Sequence, residues 1–206
     1  MHFKSLFYNN RRLRAIWRIT LFCCFLTLAI LPLVLIRSSH IQFLGASILL
    51  IFGLYLNSKY LDRIPFSSYG LVLKRSTFAY LMVGIAIGVF SVILMLFIGK
   101  STGIIQVSEI LTLADYELAF LFAIKMFFVA ILEETFFRGY LFTNLFDGLK
   151  STKIGKNQAM IMAIIISSIF FGLAHAGTNH ASIISIILLS INGMVWCVPF
   201  IITKNL

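Results

Sequence analysis

Long apolar stretches alternate with short polar segments along the whole chain. Most of the stretches hold about 20 residues, the length that a helix needs to cross the hydrocarbon core of a bilayer. The pattern predicts an all-α, polytopic transmembrane helical bundle with about six spans. The expected spans are residues 16–36, 41–56, 78–98, 118–145, 158–174 and 182–202, with Pro199 interrupting the last.

Composition excludes an ordinary soluble domain. Of the 206 residues, 60% are hydrophobic and 12% are charged, and the mean hydropathy is +1.00. A soluble domain would be about half apolar and about a quarter charged. The length is too short for two membrane domains, so we expect residues 1–206 to form one. The cysteines Cys23, Cys24 and Cys197 lie in apolar segments and show neither a disulfide framework nor zinc-ligand spacing.

The basic residues predict the orientation in the membrane. The net charge is +10, but Lys and Arg fall in alternate loops and do not form the cluster that a nucleic-acid partner would need. Thirteen lie in the amino end, the second and fourth loops and the carboxyl tail, against Arg37 and Lys100 in the alternate loops. We therefore expect a multi-pass protein of the cell membrane, surrounded by lipid, with both termini in the cytoplasm.

The predicted fourth span carries an unusual group of charges. Glu133 and Glu134 are adjacent, and they are two of only seven acidic residues in the protein. Arg138 follows Glu134 by four positions, so the two share a helix face and can pair. Glu133 points about 100° away from that alignment. The pattern favours a structural pair beside a working carboxylate, because ionisable groups inside a membrane are usually functional. A packing lock in which both acids share Arg138 is the alternative.

A histidine at the end of the fifth span completes the candidate site. Glu133 precedes the basic turn near Thr152 by 19 residues, and His175 follows that turn by 23. In an antiparallel helical hairpin these near-equal distances place both residues at a similar depth. Phe171 lies one turn before His175 on the same helix face. We expect Glu133 and His175 to meet across the hairpin.

These motifs resemble those of the CPBP (CAAX protease and bacteriocin-processing, or Abi) family, which includes the type II CAAX prenyl endopeptidases. Glu133-Glu134 with Arg138, followed by Phe171 and His175, resembles the two leading family motifs. The likeness extends over roughly residues 60–206 and includes Asp62-Arg63-Ile64-Pro65, Arg138-Gly139-Tyr140-Leu141-Phe142 and the stretch from Gly193 to Leu206.

The resemblance implies an intramembrane endopeptidase that cleaves a membrane-associated protein or peptide by activated water. Glu133 would be the base, His175 would position the water or stabilise the oxyanion, and Glu134 with Arg138 would support the site. Phe171 and Asn192 are candidate substrate-binding residues. No obligatory cofactor is expected because no HExxH zinc motif is present, although Glu133 and His175 would be the ligands if zinc were used.

The sequence departs from the family pattern at its carboxyl end. Members usually continue into another helix that bears a His or Asn, and this sequence stops before it. Asn192 is a polar substitute that we expect to be buried in the sixth span, with an interhelical hydrogen bond as its alternative role. His180 is expected in a solvent-facing loop. Two further alternatives are a catalytically incomplete relative that acts as a membrane immunity or partner protein, and a small transporter.

Overall fold

The computed structural model describes residues 7–9, 12–106, 113–150, 154–178 and 181–206. After a short antiparallel pair of strands, β1 (Tyr8–Asn9) and β2 (Arg12–Leu13), the described chain is helical. The bounds of the helices are α1 Ala15–Ile30, α2 Ser39–Tyr60, α3 Arg75–Ser101, α4 Leu113–Glu133, α5 Thr143–Leu149, α6 Lys156–Ala174 and α7 Ile183–Thr203. Short 3-10 helices cover Leu31–Leu35 and Phe66–Tyr69, and a π-helix joins α4 to α5 over Glu134–Phe142.

Five helical segments in the described ranges are long and apolar enough to cross a membrane. They are Ala15–Leu35, Ser39–Tyr60, Arg75–Ser101, Lys156–Ala174 and Ile183–Thr203. These segments agree with five of the six spans expected from sequence. The expected fourth span corresponds to α4 and the segments after it. This helix is not among the five, and it carries Asp115, Glu117, Lys125 and Glu133.

The chain divides into two compact units. One comprises Met1–Leu71 and Lys125–Leu206, and the other comprises Val72–Ile124. The smaller unit contains α3 and the first half of α4. Within α3, which the structure describes completely, Gly99 is the one buried residue. The exposed apolar side chains of this helix suit a lipid environment.

The larger unit contains three apolar clusters and the charged residues of the candidate site. The first cluster joins α1 and α2 to the π-helix through Phe22, Leu50, Leu54, Tyr69 and Tyr140. Phe137, Leu141 and Phe171 form the second, and Phe142, Ala163 and Phe200 form the third. Residues of the π-helix occur in all three clusters, so this segment lies at the centre of the unit.

Helices α6 and α7 form an antiparallel hairpin with very close backbone approach. A Cβ atom on Gly172 would lie 2.5 Å from the carbonyl oxygen of Ile186, and one on Gly193 would lie 3.2 Å from Cβ of Ser168. Small residues therefore permit this packing, as is usual between membrane helices. Because Gly172 is only three residues before His175, the same contact fixes the end of α6 that carries the histidine.

Pro199 does not interrupt the last helix. The sequence predicted a break there, but α7 continues to Thr203, and the Thr203 hydroxyl donates a hydrogen bond to the Pro199 carbonyl at 2.8 Å. Proline is tolerated within membrane helices where neighbouring groups satisfy the backbone.

Candidate active site

Glu133 and His175 meet across the gap between α4 and α6. Glu133 is the last residue of α4, and His175 caps the carboxyl end of α6. The distance from Glu133 Oε1 to His175 Nε2 is 3.4 Å, and the side chains are 27% and 26% exposed respectively. The contact expected from the hairpin geometry is therefore present. Partial exposure leaves both groups accessible to a small molecule such as water.

The second contact of His175 shows which ring nitrogen donates a hydrogen bond to the backbone. Its Nδ1 lies 2.8 Å from the backbone carbonyl oxygen of Phe171. A carbonyl oxygen can only accept a hydrogen bond, so Nδ1 carries the proton and donates. In the neutral ring Nε2 is then an unprotonated acceptor, and it faces the Glu133 carboxylate. Two acceptors 3.4 Å apart repel each other unless Nε2 carries a shared proton or a water molecule beside the pair donates to both atoms.

Glu134 turns away from this pair and contacts Arg138. Glu134 Oε1 lies 3.2 Å from Arg138 Nη1, with the glutamate side chain 37% exposed and the arginine side chain 1% exposed. The structure therefore shows the division of contacts that the sequence indicated: Glu134 pairs with Arg138, and Glu133 faces His175. A buried guanidinium is costly unless it is compensated. Glu134 provides part of that compensation.

Phe171 provides a second contact for Arg138. The guanidinium carbon lies 4.4 Å from the centroid of the Phe171 ring, a distance suited to a cation–π interaction. The same ring packs edge-on against Phe137 at 5.2 Å and lies 4.9 Å from the imidazole of His175. Phe171 is thus a buried link between the arginine and the histidine. These contacts indicate a positioning role, and its assignment to substrate binding stays a prediction.

The backbone around these residues is a π-helix, which the sequence did not predict. We expected a regular helix over residues 118–145, but nine residues, Glu134–Phe142, have the wider π spacing. π segments inside α-helices are rare and occur often at functional sites. Gly139 lies in this segment, where a Cβ atom would be 2.7 Å from the carbonyl oxygen of Tyr69. The lack of a side chain lets the π-helix approach the loop that contains Tyr69.

The expectation that Asn192 is buried is wrong. Asn192 is exposed on α7, whereas the buried positions of that helix are Ser190, Gly193, Cys197 and Phe200. The reason is helical periodicity, since Asn192 is rotated about 100° from the neighbouring Gly193. Its assignment to substrate binding stays a prediction. His180 lies outside the described residues.

The donor set for a metal is incomplete in the described part of the chain. Within those residues, no group of three or more His, Cys, Asp or Glu side chains could hold a metal ion. Catalytic zinc sites use three protein ligands, and Glu133 with His175 supplies two. No step of the chemistry below is therefore assigned to a metal.

A second buried polar cluster, centred on Asp62, was missed by the sequence analysis. The Asp62 side chain is fully buried, and its Oδ2 accepts hydrogen bonds from the Tyr69 hydroxyl and from Asn144 Nδ2, both at 2.6 Å. Arg18 Nη1 lies 3.6 Å from Asp62 Oδ1, and Arg18 Nη2 donates to Asp147 Oδ2 at 2.8 Å. The cluster connects α1, the loop after α2, and α5.

The burial of Tyr69 and the charge of Asp62 together change the pKa of the Tyr69 hydroxyl. Burial, together with the adjacent Asp62 carboxylate, raises the pKa of the Tyr69 hydroxyl. The phenol therefore stays protonated as the donor to Asp62 and accepts a hydrogen bond from Asn57 Nδ2 at 2.9 Å. In the sequence, Asp62 resembled a loop charge and Arg18 a flanking charge. The scarcity of acidic residues in the chain was the signal that could have drawn attention to Asp62.

The fold and the site together define an all-α integral membrane protein with ionisable residues clustered inside its helical bundle. Residues 115–206, a little under half of the chain, match a family model described as Rce1-like, type II CAAX prenyl endopeptidase Rce1-like. Over this region the chain is similar to that family of membrane proteases, and the matched region includes Glu133, Glu134, Arg138 and His175. Comparisons with curated proteins and with solved structures gave no match.

Proposed function

We propose that this protein is an intramembrane endopeptidase that hydrolyses a peptide bond of a membrane-associated protein or peptide. The supporting observation is the contact between Glu133 Oε1 and His175 Nε2, which lie 3.4 Å apart on partly exposed side chains. The likeness of residues 115–206 to a family model of type II CAAX prenyl endopeptidases supports the same reaction. The multi-pass orientation with both termini in the cytoplasm belongs to this proposal and rests on the distribution of Lys and Arg.

In the proposed reaction, one water molecule lies beside the pair and forms hydrogen bonds with both Glu133 Oε1 and His175 Nε2, because their 3.4 Å separation leaves no room for it on the line between them. Glu133 takes one proton from the water while His175 Nε2 accepts a hydrogen bond from the other. The oxygen adds to the substrate carbonyl carbon to form a tetrahedral intermediate. The carbon–nitrogen bond then breaks, and the departing amine receives the proton held by Glu133. The products are a new carboxyl group and a new amino group, so atoms and charges balance.

The remaining charged pair acts by positioning. Arg138 is held by Glu134 and by the Phe171 ring, and the carbonyl of Phe171 fixes the imidazole of His175. Loss of the arginine would therefore disturb the histidine without removing either reacting group. We assign Glu134 and Arg138 to this supporting role.

The test compares variants of the purified protein in proteoliposomes. A peptide library is added in water enriched in oxygen-18, and mass spectrometry detects new termini that carry the heavy isotope. We expect the Glu133→Gln and His175→Ala variants to lose cleavage by at least about 100-fold, the usual contribution of a general acid or base. Glu117→Gln, an exposed glutamate of the same helix, is the matched control and should retain cleavage. Persistence of cleavage in both site variants would refute the assignment.

A catalytically incomplete membrane immunity or partner protein is the second candidate function. The observation that favours it is that the described residues bring together Glu133 and His175, but no group of three side chains that could hold a metal ion. The test expresses the wild-type or the Glu133→Gln protein in cells that lack the gene. Equal rescue of the phenotype by both proteins, with no cleavage by either, would support this function over the peptidase.

A further inference from the structure

A large cavity lies beside the candidate active site and is not formed by the reacting residues. Its volume is about 1090 Å³, at the upper end of the roughly 300–1,000 Å³ typical of ligand pockets. Its walls come from α1, the π-helix, α5 and the end of α6. The apolar part is lined by Ile19, Phe136, Leu141, Leu145 and Phe170.

The other part of this cavity is basic. Among the described residues that line it, Arg12, Arg14, Arg18 and Lys150 are cationic and Asp147 is anionic. Asp147 pairs with Arg12 at 3.0 Å and with Arg18 at 2.8 Å. Asp62, which lies behind the wall, is also 3.6 Å from Arg18, so Asp62 and Asp147 balance two of the four cations and an excess of two positive charges remains.

Three of these cationic side chains are accessible from the cavity. Arg14 and Lys150 are exposed, and the Arg12 side chain is 28% exposed. Arg18 is 2% exposed and is held by Asp62 and Asp147, so it lies too deep in the wall to contact a ligand. Direct contact with an anionic ligand therefore falls to Arg12, Arg14 and Lys150.

We propose that this cavity binds an anionic phospholipid. The phosphate would lie among Arg12, Arg14 and Lys150, and an acyl chain would occupy the apolar part. Charge complementarity selects this occupant, because basic pockets between membrane helices bind anionic lipid head groups. Arginine favours phosphate in particular, since its planar donors match the phosphate oxygens. The surrounding bilayer supplies such a lipid at high local concentration.

The position of the cavity connects this lipid to the candidate active site. Ala174 lines the cavity and directly precedes His175, while Phe137 lines it and packs against Phe171. A bound acyl chain would therefore contact the residues that hold the imidazole in place. The proposal itself concerns binding and does not depend on peptidase activity.

The experiment measures lipid binding to the full-length protein in detergent. The protein is stripped of lipid and titrated with fluorescent phosphatidylglycerol, and with phosphatidylcholine as the neutral comparison. Phosphatidylglycerol should bind more tightly, and the difference should decrease as salt is added. The double variant Arg14→Gln/Lys150→Gln should lose about 30-fold in affinity, because each basic side chain near an anionic head group contributes about fivefold. Both residues are exposed, so the variant should fold.

The matched control removes the same charge elsewhere in the larger unit. Lys59→Gln/Lys204→Gln changes two exposed lysines outside the cavity and should bind phosphatidylglycerol like the wild type. Cys23→Phe adds volume inside the cavity and should weaken binding of both lipids. Equal affinity for the two lipids, or an unchanged affinity in the Arg14/Lys150 variant, would overturn the proposal. Binding of an acidic peptide that requires Arg14 and Lys150, without lipid preference, would identify the cavity as a peptide site instead.

Discussion

The two carboxylates that share Arg18 allow a direct test of how burial sets the energy of an ion pair. Asp62 is fully buried, and its Oδ2 accepts two hydrogen bonds at 2.6 Å in addition to the approach of Arg18 at 3.6 Å. Asp147 contacts the same arginine at 2.8 Å, but its side chain is 47% exposed. Geometry alone would give the Asp147 pair the larger effect, whereas burial predicts the opposite.

The expected magnitudes differ clearly. Asp62→Asn removes the charge opposite Arg18 and replaces an acceptor of two charge-assisted hydrogen bonds with an amide. Breaking a buried pair by changing one partner costs about 3–5 kcal/mol. Asp147→Asn removes a half-exposed partner, and such pairs contribute about 0–1 kcal/mol because solvent screens them.

The assay is thermal unfolding of each purified variant in detergent. The measured quantity is the fraction of protein that remains monodisperse in gel filtration after heating. At about 2–4 °C per kcal/mol for a chain of this size, Asp62→Asn should lower the midpoint by about 6–20 °C, and Asp147→Asn by at most about 4 °C. Equal decreases in the two variants would show that burial of Asp62 does not determine the stability of this cluster. A larger decrease in Asp147→Asn would refute the reasoning.

Three further predictions concern single residues. Arg138→Met should lower both the protein yield and the activity, because it leaves Glu134 unpaired and removes the cation–π contact with Phe171. Glu133→Gln should instead lose activity at normal yield. Yield and activity per folded molecule, both measured after gel filtration, distinguish the two variants. Gly172→Ala should lower the unfolding midpoint by several degrees, since its Cβ would meet a backbone oxygen at 2.5 Å, and Gly84→Ala, which has open space around it, should not. Burial and the Asp62 carboxylate raise the pKa of Tyr69, so the folded state retains the phenol proton more strongly than the unfolded state does. The resulting stability is present below about pH 10 and is lost as the pH rises above it. Unfolding midpoints between pH 9 and 11 should therefore fall less steeply in Tyr69→Phe than in the wild type, and identical slopes would contradict this.

The helical fold was predictable because membrane depth constrains sequence directly. Backbone groups in lipid must be satisfied within a helix, so each span is visible as an apolar run, and the predicted ends agree with the structure to within a few residues. The Glu133–His175 contact was predictable for a related reason, since a hairpin places residues equidistant from its turn at similar depth. The assignment of catalytic roles to them stays a prediction.

Other features depend on packing between distant segments and left little trace in the sequence. The π-helix uses residues that are compatible with an α-helix, and its spacing reflects contacts with all three apolar clusters. The Asp62 cluster joins residues up to 129 positions apart, so no local pattern reveals it. The sequence predicted a buried Asn192, but the residue is exposed. Both faces of this membrane helix are apolar, so the sequence does not distinguish the face toward protein from the face toward lipid.

The π-helix also determines the direction in which the side chains of α5 point relative to those of α4. Glu133, immediately before it, must face His175, while Asn144, two residues after it, must face Asp62. Removing a single residue from Glu134–Phe142 would rotate Asn144 by about 100° relative to Glu133 and would separate one of these contacts. The number of residues in this segment is therefore as constrained as their identity.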